Sequence, residues 1–167
     1  MKKKKTREAT LILFVCAGNI CRSPLAQGYL RKRIKEEHIP GVRVESAGIL
    51  GIEGKPASEG AAMIARSNDF HIEDHVSQSL TPDLIERSKL VIVMEDYQKD
   101  YVLQTYPESK NKIFLLQEFS RLAPSTLPVI DPYGRDPETY RLSFEQIREG
   151  VEGLIDHLTS TTGPIAP

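Results

Sequence analysis

Short apolar runs alternate along this chain with longer stretches that carry one apolar face. Ala9 to Val15 (ATLILFV) is an almost unbroken apolar run, which suits a strand buried on both faces. Val42 to Ala47 (VRVESA), Leu90 to Met94 (LVIVM) and Ile113 to Leu116 read as three further strands. A helix is expected to open at Ser23–Pro24, because Ser can cap and Pro at the first helical position needs no N–H. Leu25, Tyr29, Leu30 and Ile34 keep its apolar face until Pro40 and Gly41. Ala57 to Ser67 reads as a second helix and Thr81 to Arg87 as a short third, with Pro82 at its start. From Pro137, Tyr140, Phe144, Ile147, Val151, Leu154 and Leu158 recur at steps of four and three, which is helical spacing. Gly150 and Gly153 are expected to weaken that helix by about 1 kcal/mol each relative to Ala. Between Leu116 and Asp131 the chain reads as loop, with Pro124, Ser125 and Pro128.

Strands that alternate with helices imply a parallel sheet covered on both faces. The length, 167 residues and 18.7 kDa, fits one α/β domain, expected over residues 9–158 between a basic tail (1–8) and a frayed end (159–167). Twenty-two Lys and Arg against 23 Asp and Glu leave a net charge of −1, which argues against a dedicated nucleic-acid binder. Lys2 to Lys5 followed by Leu11 to Ala17 imitates a secretion signal, but Glu8 and Thr10 intervene and no small-x-small cleavage site follows. The apolar stretch is also far short of the roughly 20 residues of a membrane span. Two cysteines, Cys16 and Cys21, lie too close together to staple the fold, so a reducing, cytoplasmic setting is expected.

In such sheets ligands bind beyond the carboxyl ends of the strands, so the turn after the first strand is the place to look for chemistry. It reads Cys16-Ala17-Gly18-Asn19-Ile20-Cys21-Arg22-Ser23. Backbone N–H groups of a tight loop feeding a helix N-terminus form a nest for an oxyanion. Gly18 tolerates a positive φ, and Asn19 is among the few other residues that do. Arg22 offers a planar fork that matches two phosphate oxygens. The positive field of such a loop favours a thiolate over a thiol, making Cys16 a candidate nucleophile with Ser23 as its hydrogen-bond donor. His71 and His75, four apart, could face one way like a metal pair, but no Glu stands in the order a zinc-hydrolase helix needs. No metal is expected. His38 and His157 read as solvated residues of helix ends.

The segment from Val15 to Pro24 (VCAGNICRSP) closely resembles the signature of the low-molecular-weight protein tyrosine phosphatases, in their bacterial form. The resemblance continues through Glu45-Ser46-Ala47-Gly48, His75-Val76-Ser77, Leu90 to Met94 and Asp131-Pro132-Tyr133-Gly134. It implies a flavodoxin-like sheet in strand order 2-1-3-4 and hydrolysis of phosphotyrosine without a cofactor. Cys16 would become phosphocysteine, Arg22 would clamp the phosphoryl oxygens, and Asp131 would protonate the leaving group and later deprotonate water. Asn19, Ser23, Ser46 and His75 would hold the loop in shape, and Tyr133 would line the rim with Ile20 and Ile52. Cys21 would be the partner that traps oxidised Cys16 as a disulfide. Asp131 is singled out by the resemblance alone, since Asp-Pro otherwise reads as a plain turn.

Relatives on the same scaffold separate by residue. Thioredoxin-coupled arsenate reductases need further cysteines downstream, and this chain has none after Cys21. Arginine phosphatases of the family usually carry Thr where Ile20 stands, and the apolar branch of Ile20 favours a phenyl ring. The resemblance implies a phosphotyrosine protein as partner, a bacterial tyrosine kinase among the candidates, and a monomer or weak dimer. A non-catalytic phosphate-binding module is the remaining alternative, although such relatives usually lose Cys16, Arg22 or Asp131. Ile52 and Gly134 replace aromatic residues of the eukaryotic relatives, and Gln78-Ser79 replace a frequent Arg-Gln pair.

Overall fold

A computed structural model of the chain describes residues 9–122 and 127–160. The expected basic tail (1–8), Pro124 and Ser125 of the long loop, and most of the expected frayed end lie outside them. Strand β1 (Thr10–Cys16) is central because its side chains from Leu11 onward are apolar on both faces. It pairs in parallel with β2 (Val42–Gly48) on one side and β3 (Ser88–Val93) on the other, and β3 pairs with β4 (Ile113–Leu115). The order is therefore β2-β1-β3-β4, as expected.

Alternation along β1 and β3 divides the interior in two. Ile12, Phe14, Leu90 and Ile92 face a core closed by helices α1 (Arg22–Glu36), α2 (Glu59–Ser67) and α5 (Pro137–Ser160). Leu13, Val15, Val91 and Val93 face a second core under α3 (Pro82–Arg87) and α4 (Asp96–Thr105). Ser58 caps α2 by accepting from Ala61 N, and Thr81 caps α3 by accepting from Leu84 N.

Several details differ from the sequence reading. Helix α1 starts at Arg22, so Pro24 is its third residue, where an N–H is still not required. Ser23 is consequently no cap; its hydroxyl turns to Cys16. Helix α4 escaped the apolar pattern because it buries only Gln98 and Val102. The expected loop after β4 opens with a buried 3₁₀ turn, Leu116–Phe119. Gly150 and Gly153 exist for that turn: a Cβ on Gly150 would lie 2.5 Å from Leu116 Cγ, and one on Gly153 1.6 Å from the Phe119 carbonyl oxygen. The cost in helix propensity is offset by close packing. Helix α5 runs on through Thr159 and Ser160, which the sequence reading placed in a frayed end. His157 is half-buried and meets the Phe119 ring edge-on at 5.4 Å, so it is not simply solvated.

Candidate active site

The loop between β1 and α1 forms because three elements converge on it. Cys16 is the last residue of β1, Arg22 the first of α1, and Gly48 ends β2 alongside. A Cβ on Gly48 would stand 2.8 Å from Ala17 O and 3.0 Å from Asn19 N, so only glycine lets β2 approach. Ile49 N and Leu50 N donate to Cys16 O and Ala17 O at 3.2 and 3.0 Å, fastening the next loop to the first. The left-handed turn falls on Asn19, with φ of 57°, and not on Gly18.

Asn19 is fully buried and every polar group of its side chain is used. Its Nδ2 donates to Ser23 Oγ at 2.9 Å and to Ser46 Oγ at 2.8 Å, while its Oδ1 accepts from Gln78 N at 3.0 Å. Its carbonyl lies 2.7 Å from His75 Nε2, and Ser46 Oγ in turn donates to Gln27 Oε1. Because Ser23 Oγ accepts from Asn19, its own proton is free to point at Cys16 Sγ, 2.9 Å away. Asn19 N donates to the same sulfur at 3.3 Å. Thus the structure brings Asn19, Ser23, Ser46 and His75 together behind the loop. Burial pushes the His75 imidazole below its ordinary pKa, although its bond to Asn19 O opposes this.

Arg22 is almost wholly buried, with 2% of its side chain exposed. Its Nη1 donates to Glu95 Oε1 and, at 2.9 Å, to Val129 O, while Nη2 stands 3.4 Å from Asp131 Oδ2. Burial disfavours the guanidinium charge, but the Cys16 sulfur, Glu95 and Asp131 outweigh it and hold Arg22 more basic than usual. Glu95 was not found by sequence reasoning. It stands two residues past β3, at the carboxyl end of a strand beside β1, and that position was the available signal. Gln98 fixes it by accepting from Met94 N and Glu95 N.

Cys21 is also buried, and burial pushes its thiol pKa up. Its sulfur lies 3.1 Å from Ser58 Oγ and 3.6 Å from Tyr140 Oη, and both cysteines are free. Above the loop lies a cleft of about 150 Å³ that brings Cys16, Ala17, Gly18, Ile20, Cys21, Arg22, Ile52, Asp131 and Tyr133 together. Leu50, 64% exposed, also lines it and was missed by the sequence reading. His71 and His75 do not form a metal pair: His75 is bound to Asn19, while His71 is exposed beside Glu73. Among the described residues, no group of three or more His, Cys, Asp or Glu could hold a metal ion, and no helix is long and apolar enough to cross a membrane.

A buried Cys–Arg anion loop at the carboxyl end of a central parallel strand, with a carboxylate across the cleft, can hold a phosphate dianion against a sulfur. The family model for low molecular weight phosphotyrosine protein phosphatase matches residues 11–162. The chain belongs to that family. It is 34% identical over 147 residues to a probable low molecular weight protein-tyrosine-phosphatase, EpsP, of Ralstonia nicotianae, covering 88% of this chain and 94% of the relative. It is 36% identical over 147 residues to a protein-arginine-phosphatase of Geobacillus stearothermophilus, covering 88% and 92%. The crystal structure of the low molecular weight protein tyrosine phosphatase from T. tengcongensis superposes with a TM-score of 0.81 at 34% identity, covering 89% and 99%.

Proposed function

We propose that this phosphatase hydrolyses phosphotyrosine in proteins through a cysteinyl-phosphate intermediate. The observation that carries this reading is the meeting of Cys16 Sγ, the Arg22 fork and the Asp131 carboxylate in one cleft. In the first step Cys16 Sγ attacks phosphorus and the P–O bond to the tyrosine breaks. Asp131 gives its proton to the departing phenolate, a contribution of about 10²–10⁴-fold in general. In the second step water attacks phosphorus, Asp131 takes its proton, and the S–P bond breaks to release inorganic phosphate and the thiolate. Arg22 and the loop N–H groups hold the three non-bridging oxygens throughout.

Relatives named as tyrosine phosphatases and relatives named as arginine phosphatases share this scaffold, so the family alone does not choose the substrate. The walls of the cleft support the tyrosine reading. Ile20, Leu50, Ile52 and Tyr133 present apolar surface around the phosphate site and no hydroxyl at Ile20, which suits an aromatic ring better than a guanidinium. A bacterial tyrosine kinase is a fitting phosphoprotein partner on the same grounds of resemblance.

The test is phosphate release from matched phosphotyrosine and phosphoarginine peptides in EDTA, with Cys16→Ser as control. Release selective for tyrosine and lost in the variant is the expected result. Preferential release from arginine would keep the nucleophile and overturn the substrate. Silence on both from a folded protein would leave a phosphate-binding module.

A further inference from the structure

Asp131 has little side-chain support of its own. Its side chain is 51% exposed, with Oδ2 3.4 Å from Arg22 Nη2. Its Oδ1 accepts from Tyr133 N, two residues along the same turn, at 3.2 Å. Where the carboxyl stands therefore depends on the backbone that delivers it, and that backbone is gripped at consecutive residues. Val129 N donates to Met94 O at 2.9 Å, tying the segment to the end of β3. Val129 O accepts from Arg22 Nη1 at 2.9 Å.

The residues on either side of Val129 are held by a single side chain from α5. Gln146 Oε1 accepts from Ile130 N at 2.8 Å, and Gln146 Nε2 donates to Pro128 O at 3.3 Å. The carbonyl of Gln146 accepts from the amide of Gln117, a buried residue of the 3₁₀ turn, at 2.7 Å. Ile130 N–H is the last anchored backbone group before Asp131. Only a planar amide offers an acceptor and a donor in this fork. Glu would keep the acceptor but turn a second oxygen toward Pro128 O, and Leu would serve neither neighbour.

We propose that Gln146 is a positioning residue for Asp131: its amide clamps the backbone on both sides of Val129 and so sets the carboxyl against the leaving oxygen. The proposal rests on the assignment of Asp131 as proton donor. A misplacement of about 1 Å at a reacting group can cost on the order of 10²-fold. A loosened clamp should therefore slow proton delivery while leaving the anion loop intact.

The experiment compares kcat/KM of the full chain, Gln146→Leu, Gln146→Glu, Asp131→Asn and the double variant Q146L/D131N. The two substrates are a phosphotyrosine peptide, whose phenolate leaves poorly without a proton, and p-nitrophenyl phosphate, whose leaving group needs little help. Because kcat/KM reports the steps up to departure of the leaving group, it isolates proton donation. Gln146→Leu should lose about 10- to 100-fold on the peptide and only a few-fold on p-nitrophenyl phosphate. Inhibition by inorganic phosphate should stay within about twofold, since Gln146 touches neither the loop nor Arg22, which keeps its bond to Glu95. The double variant should match Asp131→Asn, because the position of a missing acid no longer matters. Equal losses on both substrates, weaker phosphate inhibition, or losses that multiply in the double variant would overturn the proposal. If Asp131→Asn shows no preference between substrates, the acid assignment falls first and the clamp falls with it. Should Gln146→Leu not fold, Gln146→Glu decides: a smaller loss confined to the peptide supports the clamp, and a uniform one rejects it.

Discussion

Asn19 shows how much of this site rests on single residues. It occupies a left-handed backbone position that few non-glycine residues tolerate, and its amide spends both donors and its acceptor inside the protein. Ser23 and Ser46 acquire their orientation from it, and His75 closes the network on its carbonyl. That arrangement gives the site a pH dependence of known sign. Burial lowers the pKa of His75 in the folded protein below the ordinary value of 6.5, against the opposing pull of Asn19 O and Asp74. Between the folded and ordinary values the unfolded chain binds more protons, so stability is full above pH 6.5 and falls as pH drops through the folded value. The urea midpoint should be lower at pH 5 than at pH 7.5, and His75→Gln should reduce the difference. Glu152, whose pKa is lowered by Arg33 and Tyr29 against the opposing effect of burial, acts below the ordinary 4.5 and so outside this window. A midpoint that rises on acidification would reverse the assignment of His75 as a buried neutral group.

At the scale of elements, the packing of α5 on the 3₁₀ turn decides two matters at once. The turn places Gln117, which reaches the carbonyl of Gln146, and α5 places Gln146 beside the loop that carries Asp131. Gly153 is where the two backbones meet most closely, a Cβ there lying 1.6 Å from Phe119 O. Gly153→Ala raises helix propensity by about 1 kcal/mol, yet the clash requires the turn and helix to part. Overpacking of this kind costs typically about 1–3 kcal/mol and more where backbone must move, so a net loss of about 2 kcal/mol is expected. Thermal unfolding should show a drop of roughly 4–8 °C. No drop, or a gain, would mean that the turn yields freely and that propensity governs this helix. Strands β1 and β3 were legible in sequence because burial on both faces leaves nearly continuous apolar runs. Helix α4 was not, since its face toward the sheet contains a buried glutamine. Glu95 and Gln146 were equally hidden: each acts on a backbone or guanidinium group distant in sequence, and no spacing rule reports such a pairing. The anion loop was legible because its chemistry is written in consecutive residues.

Over the whole molecule, the loop is not an appendage that can melt alone. Cys16 belongs to the central strand and Arg22 to the first helix, while β2, the end of β3 and the Asp131 segment are hydrogen-bonded to one or the other. Unfolding the loop therefore requires pulling apart the layers that make up the domain. A phosphate ion that binds only the assembled loop must then stabilise the whole fold by mass action. At one hundred times its dissociation constant, the gain is about 2.7 kcal/mol, or roughly 5–11 °C for a chain of this size. The chain has no tryptophan and 6 tyrosines, among them Tyr133 at the cleft and Tyr140 beside Cys21, so tyrosine fluorescence includes reporters at the site. Far-ultraviolet circular dichroism follows the helices and sheet. With inorganic phosphate added, both midpoints should rise together and by the same amount, and Arg22→Met should lose the rise in both. If only the fluorescence midpoint moves, the loop opens before the domain unfolds. The coupling of anion binding to the global fold would then be wrong, however well the loop binds phosphate.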